Sequence, residues 1–153
     1  MLKIRTASEA DVPEMHRIRL SVRENRLPDP SLVQPDDYLP MLTSRGRGWV
    51  AELDGTIAGF AVADRTRANI WALFVEPACE ARGVGRALHD AMMDWIFGAG
   101  VERVWLSTDP GTRAERFYRS AGWRYVGDQH GEARYELSAD EWAARRASLD
   151  AGH

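Results

Sequence analysis

A single cysteine, Cys79, stands in 153 residues, so no internal disulfide framework is available, and the four histidines are too scattered to give Cys/His metal-ligand spacing. Lysine and arginine number 20 against 23 acidic residues, and no basic run or stripe forms. That balance argues against nucleic acid or a membrane surface as partner. Nowhere do about 18 apolar residues follow one another, and the N-terminus MLKIRTASEADVPEM has no apolar stretch suited to secretion. The absences point to a reducing, cytoplasmic setting and to a small molecule as the default partner. What remains is an ordinary composition, 44% hydrophobic and 28% charged, sufficient for one core in one domain.

Along the chain, Leu2 to Thr6 reads as a short strand, and Ser8 with Asp11 is a capping-box variant opening a helix with Val12, Met15, Ile18 (or the stem of Arg19) and Val22 on its apolar positions. Four prolines between Arg26 and Pro40 make that stretch an irregular or briefly helical cover. Asp54-Gly55 between two runs of β-formers predicts a hairpin. Asn69 to Pro77 is apolar on both alternating faces, as in a central strand. From Val84 the apolar residues Ala87, Leu88, Ala91, Met92, Trp95 and Ile96 share one helical face, which Gly98 and Gly100 end. Val101 to Thr108 reads as a strand. The Thr112/Glu115 box then opens a helix closed by Gly122. Trp123 to Gly127 and Ala133 to Leu137 form a closing strand pair, and Ser138 with Glu141 caps a last helix around Trp142. The order β α (α) β β β α β α β β describes an α/β (α+β) protein with a mixed sheet of about seven strands. Residues 1–137 form the domain and 138–153 a helical appendage. The strands on either side of the helix from Val84 should be parallel, joined by a right-handed crossover.

Gly83 and Gly85 stand immediately before that helix, where glycine is costly unless the backbone must be approached closely. Strand, glycine turn and helix N-terminus together make an anion site, because unpaired amides and the positive end of the helix dipole face outward. A P-loop is excluded, since Arg86-Ala87 occupies the place of Gly-Lys-Ser/Thr. A dinucleotide fingerprint is disfavoured: Leu88 replaces its third glycine, and the turn does not follow the first strand.

The stretch EARGVGRAL resembles the Gln/Arg-x-x-Gly-x-Gly/Ala signature of the GNAT superfamily of acyl-CoA-dependent N-acetyltransferases. The strand IWALFVEPA before it and the later TRAERFYRSAGW are similar to that family in the same register, so the likeness extends over roughly Leu2 to Leu137. The resemblance implies a GNAT fold and transfer of an acetyl group from acetyl-CoA to a primary amine of a small molecule or peptide, without metal. It implies that the amides of Arg82, Gly83, Val84, Gly85, Arg86 and Ala87 hold the coenzyme A pyrophosphate. Leu73, Phe74 and Val75 would offer strand hydrogen bonds to the pantetheine arm, admitted between splayed fourth and fifth strands. Phe74 or Val75 would supply an oxyanion amide. Tyr118 matches the family's tyrosine near the thioester sulfur, a phenol that keeps its proton at neutral pH and so serves as general acid. A homodimer is common among relatives.

Three departures from the family pattern matter. Glu80 replaces Gln/Arg, so its carboxylate must turn away or meet Arg82 or Arg86. Gly111 replaces an asparagine, leaving Ser107 or Thr108 to supply a polar contact. Asn69 and Trp71 occupy positions where several members carry a base, and neither is one. The base is then water or another residue: Glu24, after the first helix where the family builds its acceptor pocket, is the chosen candidate, with Glu52 and Glu76 as further carboxylates. His16, His89 and His130 show no partner in sequence, and His89 is expected to face solvent. Trp71 is a candidate lining of the acceptor pocket. Two other readings stay open: a catalytically silent acyl-CoA-binding module, and an enzyme of another phosphorylated metabolite sharing the anion site.

Overall fold

The computed structural model describes residues 1–22, 30–80 and 82–151. Strands β1 (Leu2–Thr6), β2 (Gly46–Leu53), β3 (Thr56–Asp64) and β4 (Asn69–Val75) form the first half of the sheet, and β5 (Arg103–Thr108), β6 (Arg124–Gln129) and β7 (Glu132–Ser138) the second. Helices are α1 (Val12–Ser21), α2 (Tyr38–Leu42), α3 (Val84–Gly98), α4 (Arg113–Ser120) and α5 (Ala139–Ala151). The seven strands lie in the order β1-β2-β3-β4-β5-β7-β6. All neighbours are antiparallel except β4 and β5. The expected mixed sheet with helices on both faces is what the chain adopts.

Alternation along β2 and β3 assigns the two faces. Val50, Phe60, Val62 and Ala72 point toward α1 and α2, where Met15, Ile18, Tyr38 and Met41 meet them. Ala51, Ala61 and Ala63 point the other way, toward Leu88, Met92, Met93 and Ile96 of α3. The small residues on this second face let the long helix lie close to the strands. Gly59 of β3 shows how close the helix comes: a Cβ there would stand 3.1 Å from Val84 Cγ1 and 3.2 Å from Leu88 Cδ1.

Local signals position the elements as the sequence predicts. Asp54 (φ 53°) and Gly55 (φ 84°) make the two-residue β2–β3 turn. The Thr112 hydroxyl accepts from the Glu115 amide at the start of α4, and Ser8 with Asp11 makes the reciprocal box before α1. The proline-rich cover resolves into short 3-10 turns at Pro30–Leu32 and Pro35–Asp37 and the single-turn α2.

α5 packs against the sheet and α3. Trp142 is buried in the α3-side core, with Nε1 donating to Asp94 at 2.9 Å, while Arg145 donates to the Ser120 carbonyl at 2.6 Å. His89 departs from expectation. Although three residues beyond Arg86 on α3, it is fully buried, because α4, Trp123 and Trp142 roof the flank of α3 that periodicity alone left open.

Candidate active site

The site begins where the two halves of the sheet part. β4 and β5 pair at one register position, Asn69 with Trp105, and Asn69 Nδ2 donates to the Trp105 carbonyl at 3.2 Å. Beyond that point the strands diverge. Asn69 is thus the pin of a V-shaped opening, not a base. The strand alternation fixes what β4 offers to the gap. Glu76 N–H donates to the Ala58 carbonyl of the facing strand segment at 2.7 Å, and Phe74 lies opposite Phe60 two residues back in the same register. Antiparallel pairing therefore turns the Phe74 amide toward β3 and the amides of Leu73 and Val75 toward the gap.

Two cavities open on either side of this gap. One, of about 890 Å³, runs past Val75, Pro77, Cys79 and Glu80 to Gly83, Val84, Gly85 and Arg86, with Arg113 and Phe117 opposite. The other, of about 480 Å³, is lined by Arg19, Trp71, Ser107, Thr108, Asp109 and the β6–β7 turn His130, Gly131 and Glu132. Leu73, Phe74, Ala114 and Tyr118 line both. Tyr118 therefore sits at the junction.

The wide cavity ends on the start of α3. Gly83 is the N-cap at φ 79°, a left-handed conformation that glycine adopts without cost, and its carbonyl accepts from the Ala87 amide at 3.1 Å. Val84, Gly85 and Arg86 occupy the first turn, where amides have no intrahelical acceptor. Gly85 is not demanded by protein packing: a Cβ there would meet Val75 Cγ2 at 3.6 Å and Phe117 Cε1 at 3.7 Å, ordinary contacts. Its missing side chain keeps the mouth of the helix open. Arg86 stacks over Phe117 at 5.3 Å and donates to the Ser120 hydroxyl, while Arg82 is exposed. Such a groove, with outward amides, a clear helix mouth and an open strand edge, fits a long anionic ligand.

Glu80 meets neither Arg82 nor Arg86. Its carboxylate makes a close ion pair with Arg113 of α4, which ties the two walls of the cavity together and balances the acidic charge. Burial pushes the Tyr118 phenol well above its ordinary value, so it holds its proton throughout the neutral range. The other acidic candidates are engaged elsewhere: Glu52 pairs with Arg5, and Glu76 with Arg17 at 2.9 Å. Glu24 lies outside the described residues. His16 Nδ1 is 3.1 Å from the Tyr38 hydroxyl, and burial lowers its pKa. Sequence reasoning missed Arg19, whose helical position suggested only an apolar stem. It also did not foresee Asp109 at the smaller cavity; loop residues of that kind carry no periodic signal. Among the described residues no group of three His, Cys, Asp or Glu gathers as a metal site, and no helix is long and apolar enough to cross a membrane.

The acetyltransferase (GNAT) family pattern matches residues 12–123, and the chain belongs to that family. It is similar to the mycothiol acetyltransferase of Beutenbergia cavernae, 35% identical over 84 residues, which is 51% of this chain and 28% of that protein. The match thus spans little more than a quarter of that curated relative. Among solved structures, the ribosomal-protein-S18-alanine N-acetyltransferase of Escherichia coli superposes with a TM-score of 0.72 at 19% identity, covering 90% of this chain and 94% of that one. YncA of Salmonella typhimurium, solved with its cofactor acetyl-CoA, superposes with a TM-score of 0.71 at 21% identity, covering 90% and 94%. These likenesses confirm the fold.

Proposed function

We propose that the protein transfers an acetyl group from acetyl-CoA to a primary amine of a small molecule or peptide. The observation that carries this reading is the split between β4 and β5, with the open mouth of α3 at one end and Tyr118 at the junction of the two cavities. In support, a fold relative was solved with acetyl-CoA, and two relatives are named as acetyltransferases, a mycothiol acetyltransferase and a ribosomal-protein-S18-alanine N-acetyltransferase.

Residues 1–137 carry the reaction in this reading, with α5 as a brace. The first-turn amides from Gly83 to Arg86 hold the pyrophosphate, with Arg82 and Arg86 adding charge; the Ala87 amide, expected among them, is already given to the Gly83 carbonyl. Leu73 and Val75 bond the pantetheine arm, and the Val75 amide faces the developing oxyanion. Acetyl-CoA supplies a thioester: the amine nitrogen bonds to its carbonyl carbon, the C–S bond breaks, the amine loses a proton and the thiolate gains one. Tyr118 provides that last proton. An alkylamine with a pKa of about 10.4 reaches the site mostly protonated, so a base is required, and Glu24 or an ordered water is proposed to take its proton.

The test is a thiol-release assay over a panel of amines and peptides, paired with calorimetry of coenzyme A. No release and no binding would remove the proposal; binding without release on any acceptor would favour a silent acyl-CoA-binding module.

Two variants probe the cofactor side. Gly85→Ala should leave the thermal midpoint unchanged or raised, since alanine suits a helix better and meets only ordinary contacts. Its added methyl stands in the path of the diphosphate, and the KM for acetyl-CoA should rise by about tenfold, roughly 1.4 kcal/mol. Glu80→Gln removes a negative charge from the groove and frees Arg113 from its carboxylate. The KM for acetyl-CoA should then fall by about threefold, the scale of one exposed ion pair, and the gain should shrink as salt is added.

A further inference from the structure

The acceptor-side cavity contains a cation that acetyl transfer itself leaves without a task. Arg19 reaches from α1 across the faces of two rings, with its guanidinium carbon 4.8 Å from the Phe74 centroid and 5.4 Å from that of Trp71. Nε and Nη1 are sealed from solvent and meet no hydrogen-bond acceptor. Arg45 and Arg145 also bury an unpaired Nε, but each has another nitrogen bonded, Arg45 to Asp64 and Arg145 to the Ser120 carbonyl, whereas Arg19 leaves two sealed nitrogens unmet. Among the described residues no carboxylate pairs with Arg19. Two desolvated, unpaired guanidinium nitrogens are costly, and two ring faces recover only part of what water supplied. The burial lowers its affinity for the proton it carries, the direction expected of a charge lacking a counter-ion.

We propose that Arg19 binds a carboxylate on the acceptor, making the substrate class a small amino acid whose amine and carboxylate lie a few bonds apart. The proposal rests on the acetyl-transfer reading of the same cleft and narrows it. Three features favour this chemistry. The rings of Trp71 and Phe74 hold the guanidinium at the cavity wall, and with Nε and Nη1 sealed a carboxylate is met through Nη2 by a charge-assisted hydrogen bond. Phe74 touches Arg19 and also lines the junction where transfer takes place, so charge and nucleophile are separated by about one side chain. Asp109 and Glu132 line the same cavity of about 480 Å³, so the pocket presents both signs and suits a compact zwitterion over a dianion such as a phosphate ester.

The experiment compares the L-amino acids with their primary amides as acceptors in thiol release, for the wild type, Arg19→Met and Arg19→Lys. Circular dichroism and the thermal midpoint of each variant are recorded alongside. In the wild type the acid should exceed its amide in kcat/KM by roughly tenfold or more, the scale of a charge-assisted hydrogen bond. Arg19→Met should remove that preference through KM for the acid, with the KM for acetyl-CoA within about twofold; Arg19→Lys should restore part of it. Equal use of acids and amides by the wild type overturns the proposal, even if Arg19→Met fails to fold. So does a preference that survives in Arg19→Met, or O-phosphoethanolamine outperforming every amino acid. Should no acceptor release thiol, the catalytic reading fails separately. Calorimetry of the amino acids against coenzyme A-loaded protein then decides the carboxylate site: binding lost in Arg19→Met supports it, and no binding to the wild type overturns it.

Discussion

Tyr118→Phe is expected to lower kcat by roughly 10²-fold while leaving the KM for acetyl-CoA and the thermal midpoint nearly unchanged. The ring fills a buried position between Phe117 and Trp123, with centroids 5.3 and 5.6 Å away, and phenylalanine keeps that packing. Only the hydroxyl is lost, from a residue that lines both cavities. Because burial raises the phenol pKa, the proton is retained at every pH where the enzyme is assayed, so the alkaline limb of the rate profile should not belong to this residue. The same shift makes full transfer to a thiolate of ordinary pKa, about 8.5, uphill unless the sulfur is desolvated as well. Much of the effect therefore comes from a hydrogen bond strengthening as the C–S bond breaks. Single-turnover thiol release reads the chemical step, and a decrease of less than about threefold there would assign leaving-group protonation to water.

His89→Leu should cost about 2–4 kcal/mol of stability and flatten the pH dependence of unfolding in weak acid. His89 is fully buried, with Nε2 accepting from Trp123 Nε1 at 3.0 Å and Nδ1 2.9 Å from Asp90 Oδ1. That pattern fixes the neutral tautomer with its proton on Nδ1. Leucine fills most of the volume but strands the indole N–H among Phe117, Tyr118 and Trp142. Burial is the main cause that lowers the folded pKa of His89, with Arg86 and Arg145 acting the same way and Asp90 opposing them. As pH falls below about 6.5 the unfolded chain takes up a proton that the folded one refuses. Stability is complete above that pH and is lost below it, at up to about 1.4 kcal/mol per pH unit for one group. His16 shifts in the same direction and sets a residual slope in the variant. Urea denaturation from pH 7.5 to 5 measures both. A wild-type slope that persists undiminished in His89→Leu would place the proton uptake elsewhere.

Much of this architecture could be read from spacing, because local chemistry decided it. Asp54-Gly55 is a turn in any context that allows positive φ at both residues, and Thr112 caps α4 through its own hydroxyl. Gly83 serves a backbone need of its own, a left-handed N-cap at φ 79°, so Gly85, which packing does not demand, is the glycine that points to the proposed anion site. What sequence could not supply was the relation between distant elements. His89 belongs to a flank of α3 covered only once Trp123 and Trp142 arrive from elsewhere in the chain, so the apolar stripe drawn from periodicity alone was too narrow. Glu80 is close in sequence to Arg82 and Arg86 but pairs with Arg113, 33 residues on, because α4 forms the opposite wall of the groove. Arg19 offered only a stem as an alternative to Ile18; its surroundings appeared when β4 laid Trp71 and Phe74 under the guanidinium.

The single pairing between β4 and β5 has a mechanical consequence. A continuous sheet would share load across that seam through a full ladder, whereas here the two lobes are stapled at one end and held together across α3 and the Glu80–Arg113 clasp. A ligand lying in the seam takes the place of an absent strand, borrowing the amides that the lobes no longer exchange. Its binding energy then counts toward cohesion of the protein as well as toward occupancy. Fold integrity and substrate saturation are coupled through one missing row of hydrogen bonds.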